Sequence, residues 1–243
     1  MDRVIFIILF ISVAGPIVGS LIGIIKKPSH KFMYVMLAFA AGIMLSIAFL
    51  ELIPESIAFS SVWIAVFGVF VGALFMYGID KLIPHIHPEL CGQEQGGKLK
   101  RTATYLIFGI FLHNIPEGIA IAIGTASDVN LSLVIALALA VHNIPEGICT
   151  SAPYFKTTGK RLKSFLISSS TVIPILIGFF IAYFLFQSIS GNVFGFIIGA
   201  TAGLMIYITA DELIPTSCSE NSNHAPIFAL IFGILFVLLL GLI

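Results

Sequence analysis

The sequence predicts an all-α, polytopic membrane protein with eight transmembrane helices, and three observations carry that prediction. First, hydrophobic residues make up 58% of the 243 residues and charged residues only 10%, against roughly 45–50% and roughly 25% in a soluble domain. A folded chain needs charge to cover its surface, and this one has too little for water. Second, the apolar residues fall in runs long enough for a hydrocarbon core, which needs ~20 helical residues. Third, the basic residues cluster in alternate connections between those runs. Run length and the lack of strict alternation favour helices over a barrel. The net charge is zero, so there is no basic excess for nucleic acid, and three cysteines give no disulfide framework.

The spans are expected at about 3–25, 32–54, 60–79, 104–127, 130–151, 164–188, 191–214 and 226–243. The first is followed, not preceded, by its basic cluster, which favours an anchor over a cleaved signal peptide. The second ends in Glu51 and Glu55. Between the third and fourth lies the one real linker, 80–103, where Gly92, Gly96 and Gly97 stand among polar residues and predict a flexible loop. The fourth and fifth carry the polar motifs described below. The seventh ends in Asp211 and Glu212, and the eighth closes a single transmembrane domain, 1–243. Small residues recur at Gly15/Gly19/Gly23, Gly68/Gly72 and Gly195/Gly199/Gly203. These stripes predict close helix packing, within one subunit or across a homodimer, in a lipid bilayer.

Orientation follows from the basic residues. Lys26, Lys27 and Lys31 lie in the first connection. Lys81, Lys98, Lys100 and Arg101 lie in the third, and Lys156, Lys160, Arg161 and Lys163 in the fifth. Only Arg3 falls on the other side. The bias places odd-numbered connections in the cytoplasm and both termini outside.

Two internal repeats stand out. His113-Asn114-Ile115-Pro116-Glu117-Gly118-Ile119 in the fourth span recurs, residue for residue, 29 positions later as His142-Asn143-Ile144-Pro145-Glu146-Gly147-Ile148 in the fifth. The second span reads AGIMLSIAFLELIPES over Ala41–Ser56, and the seventh reads AGLMIYITADELIPTS over Ala202–Ser217, 161 positions on. In the expected topology these spans run in opposite directions. The repeats are then inverted, helices 1–3 matching 6–8 around a central pair, as in many secondary transporters.

The ionisable residues inside the spans are Glu51, His113, Glu117, His142, Glu146, Asp211 and Glu212, with no Lys or Arg deep in any span. A carboxylate at a helix centre costs on the order of 2.5–3.5 kcal/mol on insertion scales, and is normally paired. Here the missing counter-charge points to a cation from outside the chain. His and Glu at i and i+4 share a helix face. Two such helices offer two imidazoles and two carboxylates, a plausible four-ligand cage for a borderline divalent metal. Asn114 and Asn143 stand about 100° around each helix, placed for an adjacent site or for orienting the ligands. Pro116 and Pro145 lack a donor N–H and are expected to kink both helices. Glu51 and Glu55 at one mouth, with Asp211 and Glu212 at the other, outline a path: attract, hold at midplane, release. In the linker, His85 and His87 stand near Glu89 and Cys91 and form a weaker metal-binding candidate.

At these residues the chain resembles the ZIP (Zrt/Irt-like) family of divalent metal transporters, in the doubled HNxPEG form of many bacterial and archaeal members. The resemblance covers nearly the whole chain. It implies uptake into the cytoplasm across the plasma membrane, with zinc as transported substrate rather than cofactor, and iron, manganese, cobalt or cadmium also accepted. It assigns His113, Glu117, His142 and Glu146 to a primary metal site. Asn114 and Asn143 fall to a second site, bridged by Glu117 and Glu146. Asp211, Glu212, His85 and His87 correspond to exit-side positions. The chain departs from the fuller family pattern at Ile173, where some members carry a carboxylate before the proline, and at Asn143, where some carry Asp.

Two other function classes fit some of the same residues. A membrane-embedded metallohydrolase could use the cage to activate water, although no His-Glu-x-x-His motif occurs. A metal-sensing membrane protein would bind without release.

Overall fold

The computed structural model describes residues 3–25, 29–82, 114–125, 129–185, 190–218 and 224–241, and these residues form helices and short connections without strands. The first helix, α1, spans Arg3–Ile25. Helix α2, His30–Ser46, starts at Ser29, whose hydroxyl accepts the Phe32 N–H at 3.2 Å. A wide-turned π segment, Ile47–Leu52, leads into α3, Ile53–Phe59. Helix α4 covers Val62–Leu82, and residues 114–125 form α5. Helix α6 is the longest at Val129–Thr158. Helices α7, Arg161–Ser169, and α8, Val172–Leu185, follow. Helix α9, Gly191–Ile208, passes through a second π segment, Thr209–Leu213, into α10, Ile214–Ser217. Helix α11 is Ala225–Leu240.

Six helical stretches among the described residues are long and apolar enough to cross a membrane: Arg3–Ile25, Tyr34–Phe59, Val62–Lys81, Ser132–Ala152, Arg161–Leu185 and Gly191–Asp211. Ala225–Leu240 is a shorter apolar helix, and α5 falls within the expected fourth span. Many large apolar side chains are left exposed. Helix α4 turns Trp63, Phe67, Phe70 and Leu74 outward, as a lipid-facing surface requires. One buried apolar cluster, including Ile8, Met44, Ile47, Ile121, Leu139 and Phe179, forms the interior.

Three local features differ from the expected plain helices. The two π segments each lead directly to the proline of a Glu-Leu-Ile-Pro run, Pro54 and Pro215. A proline has no N–H to give and crowds the carbonyl four residues back. The chain relieves this by widening: Ile53 N–H reaches Ala48 O, and Ile214 N–H reaches Thr209 O, each five residues back. The expected sixth span is broken at Ser170 and Thr171. Pro174 cannot bond the Ser170 carbonyl, and Ile173 N–H takes it instead at 3.0 Å, a tightened turn. Helix α6 remains helical through Pro145.

The helices pack in two sets. Helix α1 lies against α6, α7 and α8, while α2 pairs with α11, α4 with α9, and α3 with α9. Helices α2 and α11 also touch α6 and so join the sets. Backbones approach closely at glycines. A Cβ at Gly147 would meet Pro16 O and Ser20 N of α1, and one at Gly118 would meet Ile175 O and Phe179 N of α8. The glycines are 29 positions apart and their partners 159. Likewise Gly72 faces the Ala200 carbonyl and Gly233 the Phe39 carbonyl, with 161 positions separating the corresponding members of each pair. The π segments share that same spacing.

Candidate metal centre

The centre is built where α5 and α6 meet. On α6, His142 and Glu146 are one turn apart, and their shared face brings His142 Nε2 to 3.1 Å from Glu146 Oε1. From α5, Glu117 Oε1 reaches the same imidazole nitrogen at 3.3 Å. The three residues are buried, and one ligand atom from each lies within 4.8 Å of the others. Two buried carboxylate oxygens thus converge on one imidazole nitrogen. An imidazole bears one proton at most on that nitrogen and can bond only one partner at a time through it. A cation placed among the three would satisfy all of them.

The asparagines stand beside this group. Asn143 donates its amide N–H to Glu117 Oε2 at 2.8 Å, so both oxygens of Glu117 are engaged from α6. Asn114 donates to the Thr171 carbonyl at 2.8 Å, at the break between α7 and α8. Both asparagine Oδ1 atoms are buried with no hydrogen-bond partner among the described residues. They remain acceptors facing the interior.

The remaining candidates stand apart. Glu51 lies half-buried in the first π segment and Glu55 half-buried in α3. Asp211 is half-buried in the second π segment, where Glu212 follows it in the chain. Glu51, Glu55 and Asp211 do not belong to the ligand cluster found among the described residues. His113, His85, His87, Cys91, Glu89 and the Glu212 side chain lie outside the described residues, as does most of the expected 80–103 linker. Ile173 is exposed on α8, one residue before Pro174.

Two polar features escaped the reading of the sequence. Asp80, near the end of α4, is buried and accepts the Tyr207 hydroxyl of α9 at 3.3 Å. Its position beside Lys81 reads as an ordinary helix end. The second is a group of buried hydroxyls, Ser20, Thr150 and Ser168, one turn beyond Glu146. Serine and threonine commonly bond their own helix, so nothing in the pattern marked them.

The chain matches the family model described as ZIP Zinc transporter over residues 3–98 and 87–241. It is 34% identical over 228 residues to "Zinc transporter ZupT" of Escherichia coli O127:H6 (strain E2348/69 / EPEC), covering 90% of this chain and 89% of that protein. It is 36% identical over 228 residues to "Zinc transporter ZupT" of Salmonella paratyphi A (strain ATCC 9150 / SARB42), with the same coverage.

Proposed function

This chain belongs to the ZIP family of zinc transporters, and we propose that it takes up divalent cations, zinc first among them, through the Glu117–His142–Glu146 centre. It is a multi-pass integral protein of the cell membrane and a transporter rather than an enzyme, which sets aside the hydrolase alternative. The observation that carries the reading is the convergence of two buried carboxylates on one imidazole nitrogen. An imidazole with carboxylates suits zinc and its neighbours among divalent metals. His113, four residues before Glu117 in the sequence, and the asparagine oxygens complete the proposed ligand set.

The topology we propose has both termini outside and odd-numbered connections in the cytoplasm. The distribution of basic residues supports it. Constant spacing between paired contacts supports inverted repeats: 159 for α1 with α8, and 161 for the contacts of α2, α4, α9 and α11. In this arrangement Glu51 and Glu55 lie at the outer mouth. Asp211 and Glu212, with the loop residues His85 and His87, lie on the exit side. The ion is attracted, desolvated at the centre and released inward. Access alternates by an elevator-like shift of α1, α5, α6, α7 and α8 against the other helices. The packing of those helices into two sets supports that division.

The test is zinc uptake into proteoliposomes holding the purified protein beside its Glu117→Ala variant. Saturable uptake lost in the variant supports the reading. Metal binding without uptake by the folded wild type would favour a sensor.

A further inference from the structure

The duplicated motif makes the two halves of the metal centre alike in sequence, yet their surroundings differ. Beyond Glu146 lies a cluster of buried hydroxyls from α1, α6 and α7. Ser168 Oγ is 2.6 Å from Ser20 Oγ, bonds Gly147 O at 3.1 Å, and makes a short hydrogen bond with Thr150 Oγ1. Thr150 also bonds Glu146 O at 3.0 Å, and Ser151 bonds Gly147 O at 2.7 Å. The carbonyls of Glu146 and the residue after it are therefore held by three side chains, one of them from another helix. A hydroxyl has one proton to give and two lone pairs. The run Ser20 to Ser168, Ser168 to Thr150 and Thr150 to Glu146 O uses each hydroxyl proton once, with Gly147 O the alternative acceptor for Ser168.

The same sequence spacings locate the equivalent places around Glu117. The contacts of Gly147 on α1 and of Gly118 on α8 relate Ser20 to Phe179. The motif spacing of 29 relates Thr150 to Ile121 and Ser151 to Ala122, and the α1–α8 spacing of 159 relates Ser168 to Leu9. All four equivalents are apolar and belong to the buried core. Generic polar glue between membrane helices has no reason to respect one half of a symmetric pair. This cluster does, and it sits on the backbone that carries a ligand.

We propose that Ser168 is a positioning residue for Glu146, acting through Thr150 and the Gly147 carbonyl to fix the α6 turn against α1 and α7. The backbone turn that carries Glu146 is thereby fixed by a hydroxyl cluster, whereas the equivalent positions around Glu117 are apolar. This rests on the reading of the centre as the cargo site. Partners that orient a ligand from behind commonly cost 10–100-fold in affinity when lost.

The test uses full-length protein and four chains: wild type, Ser168→Ala, Ser168→Thr and Ser20→Ala. Co2+ serves as the probe, its visible absorption reporting coordination geometry, and zinc uptake into proteoliposomes gives KM and the maximal rate separately. Ser168→Ala is expected to weaken Co2+ binding and raise the zinc KM about tenfold, to shift the Co2+ spectrum, and to change the maximal rate less. Ser168→Thr restores the hydroxyl and with it the spectrum. Ser20→Ala shifts the spectrum in the same direction by a smaller amount. An unchanged spectrum and KM in folded Ser168→Ala would overturn the proposal, as would a Ser168→Thr chain as impaired as the alanine. If Ser168→Ala does not fold, a wild-type spectrum from Ser20→Ala overturns it. Wild type that binds Co2+ but takes up no zinc defeats the transport reading alone, and the spectra still decide the role of Ser168.

Discussion

Glu117 Oε1 on α5 lies 3.3 Å from His142 Nε2 on α6, joining the two copies of one seven-residue motif across a helix interface. Neither copy alone can make this contact. It converts a sequence duplication into a single buried centre, with Glu146 closing the other side of the imidazole at 3.1 Å.

The Asn143 amide is a second tie between the copies among the described residues, and its loss removes a hydrogen bond to a buried carboxylate. Asn143→Leu is expected to weaken zinc binding by roughly 10–100-fold, the range for lost second-layer partners. Zinc uptake measured as a function of concentration reads this as a raised KM. A KM equal to the wild type would show that the Glu117 geometry does not depend on Asn143.

Close approach at the motif glycines predicts a stability effect instead. A side chain at Gly147 meets the α1 backbone at Pro16 and Ser20, where neither neighbour is a flexible side-chain end. Gly147→Val is expected to destabilise the protein by at least ~1–3 kcal/mol, the usual cost of overpacking. Thermal unfolding in detergent measures it. Gly78, with open space around its Cβ position, is the control, and Gly78→Ala should leave the midpoint nearly unmoved.

Tyr207 and Asp80 connect α9 to α4 outside the ligand cluster. Tyr207→Phe removes one hydrogen bond to an acidic side chain, and the expected loss is about 1–3 kcal/mol of stability. The zinc KM should not change. A large KM change with normal stability would place this pair on the ion path.

The topology makes its own prediction. With Cys91, Cys149 and Cys218 replaced, a single cysteine at Gly159, between α6 and α7, should react with an impermeant thiol reagent only from the cytoplasmic side. One at Ser190, before α9, should react only from outside. The reversed pattern would invert the proposed direction of transport.

Much of this architecture was legible because a membrane solvent leaves few choices. Run length marks the spans, and the bounds Arg3–Ile25 for α1 follow the expected 3–25. The i, i+4 spacing of His142 and Glu146 became a 3.1 Å contact because helical geometry alone fixes it. Features that depend on partners were not legible. The break at Ser170 and Thr171 reflects Pro174 together with a stretch of hydroxyl residues that bond their own backbone, as Ser170 does to Ile167 O at 2.6 Å. Proline alone does not say how the chain adapts: Pro54 and Pro215 coincide with widened turns, while α6 stays helical through Pro145. The asymmetry between Ser20 and Phe179 needed the packing of α1 and α8 to relate two residues that share no motif.

The most direct test of the account is zinc uptake by the purified protein in proteoliposomes, with folded Glu117→Ala measured in parallel. The account predicts saturable uptake in the wild type and its near-complete loss in the variant, because only two of the three converging side chains remain. Normal uptake by Glu117→Ala would contradict it, since the ion would then cross without the contact that joins the two motifs.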